Sequence, residues 1–179
     1  MTLVYVDATT LISLGTVGEL DRLENLDGHV IVPERVRDEV TTEPARTNVE
    51  RFRSRDAVGT GEEFVPGHEF VSDAQAVLDD ENVTGDVVLI AAVLMHTAGE
   101  NSVDVGVVSD DTRVRTVADG LGATVTGTVG VVVRAVHEGT DPDDAKELVR
   151  RIDRHGLHMT GELRETAARL IEEAADDRE

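Results

Sequence analysis

The chain has 179 residues, 37 of them acidic against 17 basic, for a formal net charge of −20. Cysteine is absent, which excludes a disulfide framework, a thiolate nucleophile and a Cys-based zinc site. A metal would have to be held by carboxylates, histidines or backbone oxygens, and such ligands favour hard ions such as magnesium or manganese.

A domain of this length buries about 70% of the surface its unfolded chain exposes, so one domain over residues 1–179 is expected. "TLVYVD" opens it as a short buried strand, β-branched and apolar. "TVGELDRLENLDG" follows, with Val17, Leu20, Leu23 and Leu26 at helical spacing and Gly28 as a stop. "HVIVP" is a second strand, and Pro33 then opens a short helix, "PERVRDEV". From Thr41 to Val71 the periodicity weakens, and "AVGTGEEFVPGHEF" reads as loop with a short extra strand. "SDAQAVLDD" is a brief helix with Ser72 as N-cap.

"TGDVVLIAAVLMHTAG" is too long for an ordinary buried strand and reads as a buried helix. "VDVGVVSDD" is a central strand ending in acid, "TRVRTVADGLG" a helix stopped by glycines, and "ATVTG" a last strand. "TVGVVVRAVHEG" closes a core over 1–138, and further helices fill 141–177. Alternating strands and helices imply an α/β fold. We expect a central parallel sheet of about five strands, helices on both faces and a helical C-terminus. No stretch of about 18 apolar residues could span a bilayer, and "MTLVYVDATT" lacks a basic signal-peptide region. A soluble, cytoplasmic protein with no membrane association is expected.

In parallel sheets, ligands bind outside the carboxyl ends of the strands. Asp7 follows one such end, and Asp110 with Asp111 follows another. Glu39 lies on the short helix after the second strand, and Asp86 opens the apolar helix. These acids also have plainer roles. Asp86 complements a helix N-terminus with Thr84 as N-cap, Asp110 or Asp111 serves as a turn-and-cap residue, and Glu39 is solvated. Asp7 resists that treatment, since an acid closing a buried strand has little capping use unless a helix begins directly after it. Carboxylates gathered in one cleft raise one another's pKa unless a cation neutralises them. Divalent metals do so, and metal pairs about 3.5 to 4 Å apart activate water for in-line phosphodiester cleavage. The six histidines, including His155 and His158, show no metal-ligand spacing and read as surface residues.

"VYVDATTLISL", "IVPERVRDEV", "TGDVVLIAAVL" and "VVSDDTRVRTVADGLGATVTGTVGVVVRAV" resemble, in order, the acidic motifs of PIN-domain nucleases. "GELDRL" and "GTVGVV" resemble segments of the VapC-like toxin ribonucleases, and the likeness covers nearly the whole chain. It implies a metal-dependent endoribonuclease with Asp7, Glu39, Asp86 and Asp111 as metal ligands for Mg2+ or Mn2+, and Asp110 as an alternate ligand. Thr9 matches a supporting hydroxyl two residues after the first aspartate, and Ser109 one two residues before the fourth acid. That spacing favours Asp111. RNA as substrate, an antitoxin protein as partner and a homodimer are further implications, as is the alternative of a catalytically inactive PIN-like binding or scaffold module. Arg113 and Arg115, beside the fourth motif, could assist or simply face solvent.

Two other magnesium-binding α/β families lose on named residues. A receiver domain needs an acidic pair after strand one and a lysine after strand five. A HAD-type phosphatase needs "DxD" where this chain has "DAT", and Lys146 is the only lysine. The acid-rich, lysine-poor composition with few aromatics resembles haloarchaeal-type proteins that work in molar salt. At about 1 M salt the Debye length is about 3 Å, which screens self-repulsion of the acidic surface. Dilution well below molar ionic strength should therefore lower the melting temperature, and a melting temperature indifferent to salt would contradict this reading.

Overall fold

A computed structural model gives the structure of residues 2–98 and 102–178. The first apolar run forms β1 (Leu3–Val6), buried along its whole length. It pairs in parallel on one side with β2 (His29–Ile31) and on the other with β3 (Val105–Val108). Beyond β3 lies β4 (Thr124–Thr126), also parallel. The register sets Tyr5 opposite Ile31, Val6 opposite Val108, and Val108 opposite Thr126. Strands with buried faces need no alternation, which is why β1 and β3 read as continuous apolar runs.

The sheet order is β2-β1-β3-β4. The chain leaves β1 for β2 on one side and later enters β3 on the other, so the winding reverses between β1 and β3. Doubly wound sheets open a crevice at that reversal, outside the carboxyl ends of the strands.

Among the described residues this sheet has four strands, not the expected five or so. The extra strand expected within 57–70 is reduced to one parallel bridge between Ile31 and Gly59. The Gly59 amide donates to the Val30 carbonyl at 2.8 Å, and the Val32 amide donates to the Gly59 carbonyl at 2.9 Å. Gly61, at φ +80°, then turns the backbone out of the extended region, so the ladder goes no further.

The helices differ from expectation mainly at their boundaries. α1 (Ala8–Val17) begins directly after Asp7 and ends at Gly18 in left-handed backbone, with a 3-10 turn over Leu20–Asn25 following it. One helix over 16–28 was expected from Val17, Leu20, Leu23 and Leu26, but Gly18 divides that pattern. α2 (Glu34–Glu39) follows Pro33 as expected. α3 (Ala45–Arg53) occupies a span expected to be irregular. α4 (His68–Leu78) starts after Gly67, which places Ser72 inside the helix and not at its cap. α5 (Gly85–Thr97) has Thr84 as N-cap, its hydroxyl accepting from the Val87 amide at 3.3 Å. α6 (Thr112–Gly120), α7 (Thr128–His137), α8 (Pro142–His155) and α9 (Gly161–Asp176) complete the chain.

α5 is buried on nearly all sides, with Leu89, Ile90, Ala91, Ala92 and Val93 all inaccessible. It packs against α2, α4, α6 and β3, whereas α8 and α9 pack on each other and on α7. No described helix is long and apolar enough to cross a membrane. α3 is held to α1 by Ala45, Val49 and Phe52, all buried. Phe52→Ala should cost about 3 to 5 kcal/mol, the usual range for emptying a buried phenylalanine site, read as a drop in denaturant midpoint. A change below about 1 kcal/mol would show that α3 is not part of the packed core.

Candidate active site

Asp7 is 2% exposed, the one carboxylate among the described buried residues. Its amide still donates to the Val108 carbonyl at 3.0 Å, so the residue is fixed by the sheet while its side chain turns to the edge. Oδ1 accepts from the Thr10 amide at 2.8 Å, capping α1. Oδ2 accepts from the Thr9 hydroxyl at 2.8 Å and the Ser109 hydroxyl at 2.5 Å. Burial pushes the Asp7 pKa upward, and these hydrogen bonds, led by Ser109, pull against that shift.

Ser109, at the end of β3, links the two strands that flank the crevice. Its hydroxyl donates to Asp7 and its oxygen accepts from the Asp111 amide at 3.1 Å. Asp111 caps α6 through Oδ1 alone, accepting from the Arg113 amide at 2.7 Å and the Val114 amide at 3.1 Å. Asp110 is used differently. Its Oδ1 accepts from the Thr128 amide at 2.8 Å and its Oδ2 from the Thr128 hydroxyl, so both oxygens hold the start of α7.

Glu39 ends α2 and reaches across to α5, where Oε1 accepts from the Gly85 amide at 2.7 Å. The approach is close enough that a Cβ at position 85 would fall 2.6 Å from Glu39 Oε2, so a side chain there would displace the carboxylate. Arg35, one turn back on α2, brings Nε within 3.8 Å of Glu39 Oε1. Asp86 lies in the first turn of α5. Its pKa is pushed up to about 6, first by burial and then by the charges of Asp7 and Asp111, with Glu39 adding to them and Arg113 opposing. Arg113 Nη2 stands 3.8 Å from Asp86 Oδ2, while its Nη1 donates to the Leu78 carbonyl at 2.9 Å. Arg115 instead lies against Gly127.

Asp7, Glu39, Asp86 and Asp111 therefore share one electrostatic neighbourhood at the sheet edge, and Asp110 is turned away to α7. Among the described residues no three acids or histidines are set in chelating geometry around a single point. The donor set is nevertheless all hard carboxylate oxygen, and the mutual repulsion at Asp86 is of the kind that a divalent cation relieves. By charge and donor type the cluster fits such an ion.

The sequence singled out Thr9 and Ser109 but not Thr10 or Thr128, although Thr10 stands three residues after an aspartate, the spacing of a capped helix start. Arg35, one turn from Glu39, was also passed over. His96 corrects the surface reading of the histidines. It is buried, with Nε2 2.8 Å from the Tyr5 hydroxyl and Phe64 edge-on to its ring. Burial holds its pKa below the ordinary value.

A family model described as a PIN domain matches residues 3–173. No curated protein matches the chain.

The raised pKa of Asp86 has a consequence for stability. The folded state holds the proton more tightly than the unfolded chain between about pH 4 and pH 6, so this residue's contribution to stability falls as pH rises through that window. Asp86→Asn removes the penalty. Solvent screening of a partly exposed side chain trims the effect, and we expect the variant to melt about 2 to 4 °C above wild type at pH 7 in chelator, the shift of about 1 kcal/mol. The difference should vanish near pH 4. A variant melting below wild type at pH 7 would contradict the repulsion at this site.

Proposed function

The chain belongs to the PIN-domain family, whose members are typically nucleases that use divalent metal ions, and from that premise we propose that it is a metal-dependent endoribonuclease. The observation that carries the proposal is Asp86 at the sheet edge, its proton affinity raised first by burial and then by the charges of Asp7, Asp111 and Glu39. These four residues would hold magnesium or manganese. The bound ion supplies Lewis acidity, lowering the pKa of water and offsetting charge on the phosphate.

The protein's own groups do the positioning. The Thr9 and Ser109 hydroxyls and the Thr10 amide fix both oxygens of Asp7 in one orientation. Ser109 also joins Asp7 to the Asp111 backbone, so the β1 and β3 ends cannot move independently. The Gly85 amide fixes Glu39. Arg113, next to Asp86, is the cation placed to meet a phosphate oxygen of the strand. Asp110, occupied with Thr128, is left out of the ligand set in favour of Asp111. The VapC-like segments "GELDRL" and "GTVGVV" extend the proposal to a toxin acting as a homodimer under control of an antitoxin protein, and the acidic composition to a haloarchaeal-type protein.

Asp7→Asn and Asp86→Asn should each abolish manganese-dependent cleavage of single-stranded RNA in high-salt buffer while keeping the wild-type circular dichroism spectrum. Ser109→Ala, which removes only an orienting hydroxyl, should cost about 10- to 100-fold. Wild-type cleavage rates in both aspartate variants, together with no divalent-ion binding by the purified protein, would sink the nuclease reading.

A further inference from the structure

A cavity of about 270 Å³ is lined by Tyr5, Phe64, Val65, Val83, Val88 and Ala92 among others, and by the charged residues Glu34, Arg35 and Glu62. Three elements that carry acids also build this cavity. β1 contributes Tyr5 below Asp7, α2 contributes Arg35 before Glu39, and α5 contributes Val88 and Ala92 after Asp86. The remaining wall comes from the 60–66 segment and from the exposed Val83, three residues before Asp86.

Its surface is almost wholly apolar. Its size falls just below the roughly 300 to 1,000 Å³ of pockets for drug-sized ligands, so it suits one flat ring system and not a folded chain. Phe64 is braced from behind by the buried His96, and the Tyr5 hydroxyl is already bound to that same histidine. Arg35, half exposed, lines the cavity and also brings Nε within 3.8 Å of Glu39 Oε1. An apolar slot with an aromatic wall, a guanidinium among its lining groups and the proposed metal ligand Glu39 one turn further along α2 is the arrangement that holds an unstacked base of a single strand.

We propose that this cavity receives one unpaired nucleobase of the RNA substrate, close to the phosphate that is cleaved, with Phe64 as its stacking surface and Arg35 bridging to the strand. The proposal rests on the nuclease reading. It makes the protein selective for single-stranded or looped RNA, because a base held in a duplex cannot enter.

The test uses single-stranded RNA carrying one abasic nucleotide moved along the strand. For wild type, the abasic site at one fixed position relative to the cut should raise KM about 5- to 150-fold, the loss expected for one stacked base. Phe64→Ala, and Val83→Met, which adds non-aromatic bulk to the lining from an exposed position, should lose that sensitivity while still cutting. Cleavage that ignores the abasic site at every position, or retained sensitivity in both variants, overturns the base pocket and leaves the nuclease reading standing. If no RNA is cut at all, the nuclease reading fails, and binding then decides the pocket. A 2-aminopurine placed along the same strand should change its fluorescence on binding wild type but not Val83→Met, and no change with wild type overturns the pocket. A co-crystal structure with an apolar side chain of a partner protein seated there overturns it equally.

Discussion

Asp7 is a carboxylate buried at the end of the central strand, and much of the local architecture answers its desolvation. A buried, unpaired charge is among the costliest features a fold can carry. Here the charge meets two hydroxyls and one amide, and those donors come from both α1 and β3. Meeting the need of Asp7 thereby ties together the strands on either side of the crevice. Burial still wins over the hydrogen bonds, since the Asp7 pKa remains raised. The surplus charge is the physical opening for a cation.

The capping roles of the acids and the metal-binding roles proposed for them are one arrangement and not rivals. Asp7 caps α1 and Asp111 caps α6, while Asp86 sits in the first turn of α5 and Glu39 accepts the first amide of α5. Four carboxylates at helix N-termini gain from the positive ends of three helices, which makes it tolerable to gather them at one edge. The parallel sheet supplies the geometry, because every strand there ends on the same side and each helix starts close by. Asp110 shows the contrast. Bound by Thr128 through both oxygens, it holds the start of α7.

The parts of the fold legible in the sequence were those where burial imposes a strong pattern. The apolar runs of β1 and β3 are short but unbroken by polar residues and that of α5 is much longer, so their type and order could be read directly. The chemistry at their ends was legible for the same reason, since an acid directly after a buried run stands out. Short-range backbone effects hid the rest. Gly18 divides a helical periodicity that looks continuous, and Gly61 stops a strand at its first bridge. α3 was missed although Ala45, Val49 and Phe52 recur at helical spacing, because arginines and glutamates fill the positions between them. The Ser109 spacing favours Asp111, but the hold of Asp110 on Thr128, 18 positions away, has no local pattern to announce it. His96 was misread because its burial depends on Tyr5, 91 positions away, and on Phe64.

The charge gathered around Asp86 is proposed to hold a divalent cation. A crystal structure of the protein soaked in manganese tests it most directly. Manganese should give an anomalous peak coordinated by Asp7, Asp86 and Asp111, with Glu39 directly or through water, while Asp110 stays on Thr128. A crystal soaked to saturation with no peak at this edge, or with manganese held by Asp110 in place of Asp111, would contradict it.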